Sequence, residues 1–228
     1  MGVKQVVILF GPPGAGKGTQ SELLSEKLNL YYLETSKVLE KEFKKPSQKV
    51  FNVSGQNFKI ADEKKLWLGG KLNSPPFVTE LIKKNVKRLA ERNESLIMAG
   101  SPRTVYETKI IIPLLKKLYK KNIKVFLIEI SPKETIFRNS HRRICELMRH
   151  PILWSKETKN LKICPLDGSK LVKRKGLDDP KTIKIRLQEY KNRTVPIFDI
   201  FKQHKIKIKK INGEQSVDSV FKDILKSL

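Results

Sequence analysis

A glycine-rich loop between a strand and a helix constrains the fold of this chain more than any other feature. The apolar run Val6–Phe10 is typical of a buried parallel strand, and it leads into the segment GPPGAGKGT at residues 11–19. Leucines at helical spacing follow in Ser21–Leu28. In such a loop the backbone N–H groups and the N-terminus of the next helix attract phosphate oxygens. The pattern predicts binding of a nucleoside triphosphate, with Lys17 reaching the β- and γ-phosphates.

The rest of the chain alternates strand patterns with amphipathic helix patterns. Further strands are predicted at Leu96–Ala99, Val125–Ile130 and Lys205–Ile211. Helices are predicted at Pro76–Glu91, Tyr106–Lys121, Pro132–Met148, Pro180–Phe201 and Val217–Leu228. The alternation predicts an α/β fold, a parallel sheet with helices on both faces. Two stretches that interrupt it, Lys41–Gly70 and Arg149–Gly176, are typical of inserted lids or binding loops.

Composition narrows the class of partner. The 228 residues suit one domain with insertions, and 48 Lys+Arg against 23 Asp+Glu give a net charge of +25. Such a charge favours an anionic partner, and nucleic acid stays an alternative to nucleotides although the basic residues are spread along the whole chain. The sequence has no apolar run of about 18 residues, which predicts no membrane span. Two cysteines imply no disulfide framework, so we expect a reduced, cytoplasmic protein.

The loop carries Gly18 where the strict pattern has Ser or Thr, and in this it resembles adenylate kinase and its nucleoside monophosphate kinase relatives. Further segments match in the family's order: Gly70-Lys71-Leu72, Gly100-Ser101-Pro102-Arg103-Thr104, Asp178-Asp179, Arg186-Leu187-Gln188-Glu189-Tyr190, Thr194-Val195-Pro196 and Ile211-Asn212-Gly213. The resemblance implies a core of residues 1–36, 78–142 and 176–228, a monophosphate-binding insertion at 37–77 and a lid at 143–175. It also implies a P-loop NTPase fold with a parallel five-stranded sheet and helices on both faces. The protein is expected to be a monomer that transfers the γ-phosphate of MgATP to AMP or another nucleoside monophosphate.

The resemblance also implies roles for individual residues. Phosphoryl transfer needs aligned, neutralised phosphates, and guanidinium groups hold phosphate oxygens in pairs. The implied catalytic residues are Lys17, Arg103, Arg143 and Arg186, with Arg174 or Lys175 near a further arginine position. The implied ATP-binding residues are Gly11, Gly14, Ala15, Gly16, Lys17, Gly18, Thr19, Arg138, Asn139 and Gln215. The implied monophosphate-binding residues are Thr35, Ser36, Glu40, Gly100, Arg103 and Glu107.

Several positions depart from the family pattern. Ala99 stands where the family has an aspartate that holds a magnesium-bound water, and Lys37 replaces a second aspartate. Glu40 replaces an arginine that holds the monophosphate's phosphate, and Glu107 replaces a glutamine that recognises adenine. Three hypotheses follow: an active kinase with a rebuilt acceptor site, an ATP-binding relative with little or no activity, and a nucleotide-regulated RNA-binding protein. If the lost acid at position 99 is replaced, the candidates are Glu34 and Glu129.

The two cysteines lie in the implied lid. The segment Cys164-Pro165-Leu166-Asp167 resembles half of the zinc knuckle in the lids of bacterial adenylate kinases. The other half would begin at Cys145, where Met148 occupies the place of a second cysteine and His150 is a substitute. A structural zinc site requires all four ligands, so we expect a metal-free lid. Zinc held by Cys145, His150, Cys164 and Asp167 is the alternative.

Overall fold

Ten strands and nine α-helices occur in a computed structural model that describes residues 4–45, 49–148, 150–174 and 177–228. The strands are β1 (Val6–Phe10), β2 (Tyr31–Glu34), β3 (Val50–Val53), β4 (Gln56–Lys59), β5 (Leu96–Ala99), β6 (Ile123–Glu129), β7 (Arg143–Cys145), β8 (Pro151–Ile152), β9 (Leu171–Val172) and β10 (Ile208–Asn212). The helices are α1 (Lys17–Leu28), α2 (Thr35–Phe43), α3 (Ile60–Leu68), α4 (Pro75–Glu91), α5 (Val105–Tyr119), α6 (Pro132–His141), α7 (Pro180–Glu189), α8 (Ile197–Gln203) and α9 (Val217–Lys226). One π-helical turn, Tyr190–Thr194, follows α7.

The central sheet has five parallel strands in the order β10-β6-β1-β5-β2. All residues of β1 and β5 are buried, which explains why both strands read as continuous apolar runs. The predicted α/β fold with a parallel five-stranded sheet is confirmed. Strand β2 escaped the sequence analysis because it lies at the sheet edge, where only Leu33 is buried and the other three residues are partly or fully exposed.

Helices cover both faces of the sheet through two apolar clusters. One cluster joins the sheet to α4, α5 and α8, with residues such as Ile82, Ile111 and Phe201. The other joins the opposite face to α1 and α9, through Leu24 and Ile224. Side chains alternate between the faces along each strand, so β1 contributes to both clusters. These two clusters hold the sheet between its helices. Because the strands are parallel, the phosphate loop after β1 and the carboxyl ends of β2 and β5 lie at the same edge of the sheet.

Two predicted helices were wrong in extent. The helix predicted over Pro132–Met148 ends at His141, because Arg142 takes an extended conformation and β7 pairs with β8 and β9 in a small antiparallel sheet. The helix predicted over Pro180–Phe201 is divided after Glu189 by the π-helical turn, and α8 begins after Pro196. Proline has no N–H for a helix interior, so a new helix begins there instead.

The two interrupting stretches have folded structure of their own. In the first, α2 is followed by the hairpin β3–β4 and by α3. The hairpin is packed to α4 by Phe51 and Phe58, whose rings lie 5.1 Å and 6.3 Å from the ring of Phe77. The second stretch contains the sheet β8-β7-β9. Across the described ranges, every helix is too short or too polar to span a membrane.

Candidate active site

The phosphate loop connects the carboxyl end of β1 to the first turn of α1. Gly16 precedes the helix with φ 85° and ψ 8°, a left-handed conformation that glycine adopts without a Cβ penalty. Gly14 has φ 87°, and a Cβ there would lie 2.5 Å from Nδ2 of Asn139. Glycine is therefore required at 14 by both conformation and contact. The loop exposes backbone N–H groups to the cavity beside it.

Lys17 is folded back onto this loop. Its Nζ donates hydrogen bonds to the carbonyl oxygens of Gly11 at 2.7 Å and Pro12 at 2.8 Å. Burial lowers the pKa of Lys17 well below its usual value, and the cations Arg103 and Arg186 lower it further. These carbonyl contacts hold the ammonium group until an anion arrives, and a phosphate would both replace them and stabilise the charge.

Further guanidinium groups surround Lys17. Burial lowers the pKa of Arg186 to about 9 and that of Arg142 to about 10, and Arg174 adds repulsion in both cases. Arg174 itself pairs with Asp178, its Nε lying 3.0 Å from a carboxylate oxygen. Within the described ranges, neither Arg142 nor Arg186 forms an ion pair with a carboxylate. The structure places Arg174 in the cavity wall, whereas Lys175 lies outside the described residues.

The structure does not place Arg143 where the resemblance implied. Its guanidinium donates to the carbonyl oxygens of Thr158 and Leu161 inside the lid, and it lines neither cavity of the site. Arg142 lines the larger cavity instead. Successive side chains of an extended backbone point to opposite sides. The side chain of Arg142 therefore faces the cavity, and that of Arg143 faces the lid. The geometry therefore makes Arg142, rather than Arg143, the candidate phosphate ligand at this position.

Two adjacent cavities meet at the phosphate loop. The larger one has a volume of about 500 Å³ and lies between the loop, the end of β2, α6 and the lid. The smaller one, of about 100 Å³, lies between the core and the segment that contains α3. Both are lined by Pro13, Lys17, Ser36, Trp67, Gly100, Arg103, Arg174, Leu177 and Arg186. Anionic ligands in the two cavities would thus face the same cations.

Most of the residues predicted to bind ATP lie around the larger cavity, with Gly11 and Asn139 as the two exceptions. Gly14, Ala15, Gly16, Lys17, Gly18, Thr19, Arg138 and Gln215 line the larger cavity, and Gly11 lines the smaller one. Asn139 is buried and donates to the carbonyl of Thr135 at 2.7 Å, so its side chain supports the loop from behind. The half-buried Arg138 lies beside it and pairs with Glu134 at 2.6 Å.

An aromatic pair in the larger cavity was not predicted. Phe137 and Trp154 both line it, with ring centroids 5.4 Å apart in an edge-to-face arrangement. No spacing in the sequence connects Trp154 with Phe137. Because the two rings are nearly perpendicular, only one ring face at a time is available for a base to stack on, with the other ring at its side.

The residues predicted to bind the monophosphate divide into three groups. Ser36, Gly100 and Arg103 line the smaller cavity, together with Trp67, which sequence analysis missed. Thr35 is buried beneath them, its hydroxyl 3.5 Å from the carbonyl of Ala99. Glu40 lines the larger cavity rather than the smaller one.

Glu107 lines neither cavity, so the structure does not bring its carboxylate to the place expected of a base-recognising residue. Its carboxylate accepts hydrogen bonds from Ser101 Oγ and the Arg103 N–H at 3.0 Å each, and from Thr104 Oγ1 at 3.2 Å. The position is at the start of α5, where a carboxylate caps the preceding turn. Burial raises the pKa of Glu107, while these hydrogen bonds oppose the shift.

The lid brings the four candidate zinc ligands together, their donor atoms all lying within 4.8 Å of one another. His150 Nδ1 lies 3.4 Å from Cys145 Sγ, 3.7 Å from Cys164 Sγ and 3.2 Å from the Asp167 carboxylate. Ligands of a tetrahedral zinc ion, at about 2.0–2.3 Å from the metal, stand about 3.3–3.8 Å apart. The distances around His150 are close to this range, and Cys145 Sγ lies 3.0 Å from an Asp167 carboxylate oxygen, so the four side chains form a donor set able to hold a metal ion such as zinc.

Comparison with known proteins agrees with this geometry. The sequence profile of the adenylate kinase family matches residues 9–206. Adenylate kinase of Mycoplasma mycoides subsp. mycoides SC is 31% identical over 219 residues, which cover 96% of each chain, and that of Mycoplasma capricolum subsp. capricolum is 33% identical with the same coverage. Adenylate kinase of Petrotoga mobilis is 28% identical over 226 residues, or 97% of this chain and 96% of the relative. The chain therefore belongs to the adenylate kinase family.

Proposed function

We propose that this protein transfers the γ-phosphate of MgATP to AMP and is active despite its altered positions. The observation that carries the proposal is the shared wall between the two cavities, where Lys17, Arg103 and Arg186 face both sides. Family membership supports a phosphotransferase acting on nucleoside monophosphates. AMP is the acceptor that the names of the relatives imply.

In the proposed reaction, the triphosphate occupies the larger cavity and the monophosphate the smaller one. An oxygen of the acceptor phosphate attacks the γ-phosphorus, and the bond to the oxygen that bridges the β- and γ-phosphates breaks, giving two nucleoside diphosphates. The chain supplies position and positive charge rather than covalent chemistry. Arg142 and Arg174 extend the cationic wall toward the lid, whose contact with the larger cavity limits the access of water.

The test is an ADP-production assay with MgATP and each common nucleoside monophosphate in turn. Lys17→Ala removes the buried ammonium group of the loop, and Lys222→Ala is the matched control, because Lys222 is 63% exposed and pairs with Asp218 on α9. We expect turnover with AMP that is lost in Lys17→Ala and retained in Lys222→Ala. Turnover with another monophosphate but not with AMP would refute the acceptor while leaving the kinase activity in place.

The second candidate is an ATP-binding relative with little transfer, and Ala99 at the end of β5 favours it because no carboxylate stands at that position. The same assay separates the two. If ATP binds with micromolar affinity but no monophosphate yields ADP above the Lys17→Ala background, the second candidate replaces the first.

We also propose that the lid holds a structural zinc ion, with Cys145, His150, Cys164 and Asp167 as ligands. The donor spacing favours zinc over the metal-free lid expected from the sequence. Zinc at such a closed site contributes folding free energy rather than chemistry. Elemental analysis of protein purified without chelator should give about one zinc per chain, and Cys164→Ser should lose it together with several degrees of thermal midpoint. A zinc-free protein with unchanged stability in Cys164→Ser would restore the metal-free lid.

A further inference from the structure

The end of strand β2 offers a carboxylate beside the position where one is missing. Ala99 is the last residue of β5, and the parallel register pairs it directly with Glu34, the last residue of β2. Neighbouring strands lie about 4.8 Å apart, and glutamate is one methylene longer than aspartate. Both residues line the larger cavity. A carboxylate at 34 is thus able to reach the space in front of Ala99 from the adjacent strand.

Glu34 faces the first turn of α1, where the loop delivers the phosphates. Tyr32 precedes it by two residues and so lies on the same face of β2. A Cβ at Gly18 would stand 3.8 Å from the Tyr32 hydroxyl, which places Tyr32 against the start of α1. Glu22 follows Gly18 by one helical turn and also lines the larger cavity. The two carboxylates thus flank Gly18, which has no side chain of its own for a metal ion.

Both carboxylates also lie close enough to Tyr32 to affect its titration. Burial raises the pKa of Tyr32 above its usual range, and the charges of Glu34 and Glu22 raise it further. Glu34 forms an ion pair with Lys37 at 3.5 Å, but the Lys37 side chain is 68% exposed. An exposed partner of this kind exchanges readily with a cation from solvent.

Two other acids near the site, Glu134 and Glu129, are less suitable. Glu134 lines the larger cavity but pairs with Arg138 at 2.6 Å. Glu129, the second sequence candidate, ends β6, pairs with Lys210 at 2.9 Å and lines neither cavity. Of the two candidates for the missing carboxylate, the structure therefore favours Glu34 over Glu129.

We propose that Glu34, supported by Glu22, positions the magnesium ion that enters with ATP and so replaces the carboxylate absent from position 99. Magnesium prefers oxygen ligands and keeps several of its waters, so Glu34 would hold the ion through its water shell. The inference rests on the proposed function only in taking MgATP as the substrate. Glu34 acts on the reaction through the ion and is a positioning residue.

The test measures ATP affinity by calorimetry with and without magnesium, in the absence of any acceptor. Glu34→Gln should reduce the gain in affinity that magnesium brings by about tenfold or more, as loss of a carboxylate that orients a metal's ligands does. Its affinity for magnesium-free ATP should stay equal or rise, because a negative charge near the phosphates is gone. Glu129→Gln is the matched control and should behave like the parent protein. Adding Ala99→Asp to Glu34→Gln should restore the gain, which a merely structural role of Glu34 would not allow.

Two outcomes overturn the proposal. The first is a magnesium-dependent gain in Glu34→Gln equal to that of the parent or of Glu129→Gln. The second is failure of Ala99→Asp to restore the gain in a double variant whose thermal midpoint matches that of the parent. Because the measurement involves ATP and magnesium alone, it remains decisive when no monophosphate supports turnover, so failure of the proposed function is distinguishable from failure of this inference.

Discussion

Exchanging Arg142 and Arg143 for methionine, one at a time, tests which of these two arginines contacts the phosphates. The two arginines are neighbours in sequence, but Arg142 lines the larger cavity whereas Arg143 donates to two carbonyl oxygens within the lid. Methionine keeps much of the apolar volume of the side chain and removes the charge. The two variants should therefore fail in opposite ways.

The magnitudes follow from the surroundings of each side chain. A lowering of the Arg142 pKa to about 10 corresponds to a cost of roughly 2–3 kcal/mol for the charged form, after allowance for water in the open cavity. Arg142→Met removes that cost, so the free energy of unfolding should stay equal or rise. A donor aimed at developing phosphate charge is worth about 10²–10³ in rate, so kcat should fall by that factor. Arg143→Met leaves the Leu161 carbonyl without its donor, at about 1–3 kcal/mol, whereas the Thr158 carbonyl keeps the Leu161 N–H as a donor.

The assay pairs a thermal or urea unfolding curve with steady-state turnover for each variant. Arg142→Met should keep its unfolding midpoint and lose turnover, whereas Arg143→Met should lower the midpoint and keep kcat within about tenfold of the parent. The reversed pattern, with activity lost in Arg143→Met and kept in Arg142→Met, would refute the placement of Arg142 as the phosphate ligand.

Three further changes have defined outcomes. Gly70→Ala should destabilise the protein by about 2–4 kcal/mol in urea unfolding, because Gly70 has φ +75° and a Cβ there would lie 2.5 Å from Thr182 Cγ2. Gly55→Ala is the control: Gly55 has φ +85° but nothing within 4 Å of its Cβ position, so the loss of stability should come from backbone strain alone. Glu107→Gln should remove part of the pH dependence of stability. Burial raises the pKa of Glu107 in the folded protein, so the native state binds this proton more tightly than the unfolded state does. The free energy of unfolding therefore falls as the pH rises from the pKa of the unfolded state through that of the folded state. Unfolding curves at a series of pH values would show this, and a parent and variant with parallel slopes would contradict it. Trp154→Ala should raise the KM for ATP about tenfold through loss of base stacking, with Leu166→Ala, at a 74% exposed lid position, as the control that leaves KM unchanged.

Sequence patterns predicted the elements whose determinants are local. The apolar run Val6–Phe10, the loop at 11–19 and the leucines of Ser21–Leu28 lie next to one another in the chain, and together they are strand β1, the phosphate loop and α1. Strand β2 could not be found in this way, since an edge strand with one buried residue has no apolar run. It is nevertheless the strand that ends at Glu34 beside the phosphate loop.

Site residues that depend on register were the hardest to predict. Helical periodicity continues beyond His141, and only pairing of β7 with β8 and β9, which come later in the chain, ends the helix there. The same pairing decides which of two adjacent arginines enters the cavity. For Glu107 its position in the family pattern implied base recognition, but its three hydrogen-bond donors come from a turn whose shape the sequence did not reveal.

The buried cationic side chains around the two cavities favour phosphoryl transfer over simple nucleotide binding as the proposed reaction. Burial and mutual repulsion lower the pKa values of Lys17, Arg142 and Arg186, so each charge is held at a free-energy cost until phosphates enter. Lys17, Arg103 and Arg186 line both cavities, so their charges face a nucleotide in either one. In the proposed reaction, a phosphoryl group between the cavities would contact these shared cations from both sides at once. We therefore expect them to stabilise the transferring group more than either bound nucleotide, and interactions stronger in the transition state than in the ground state are those that raise kcat.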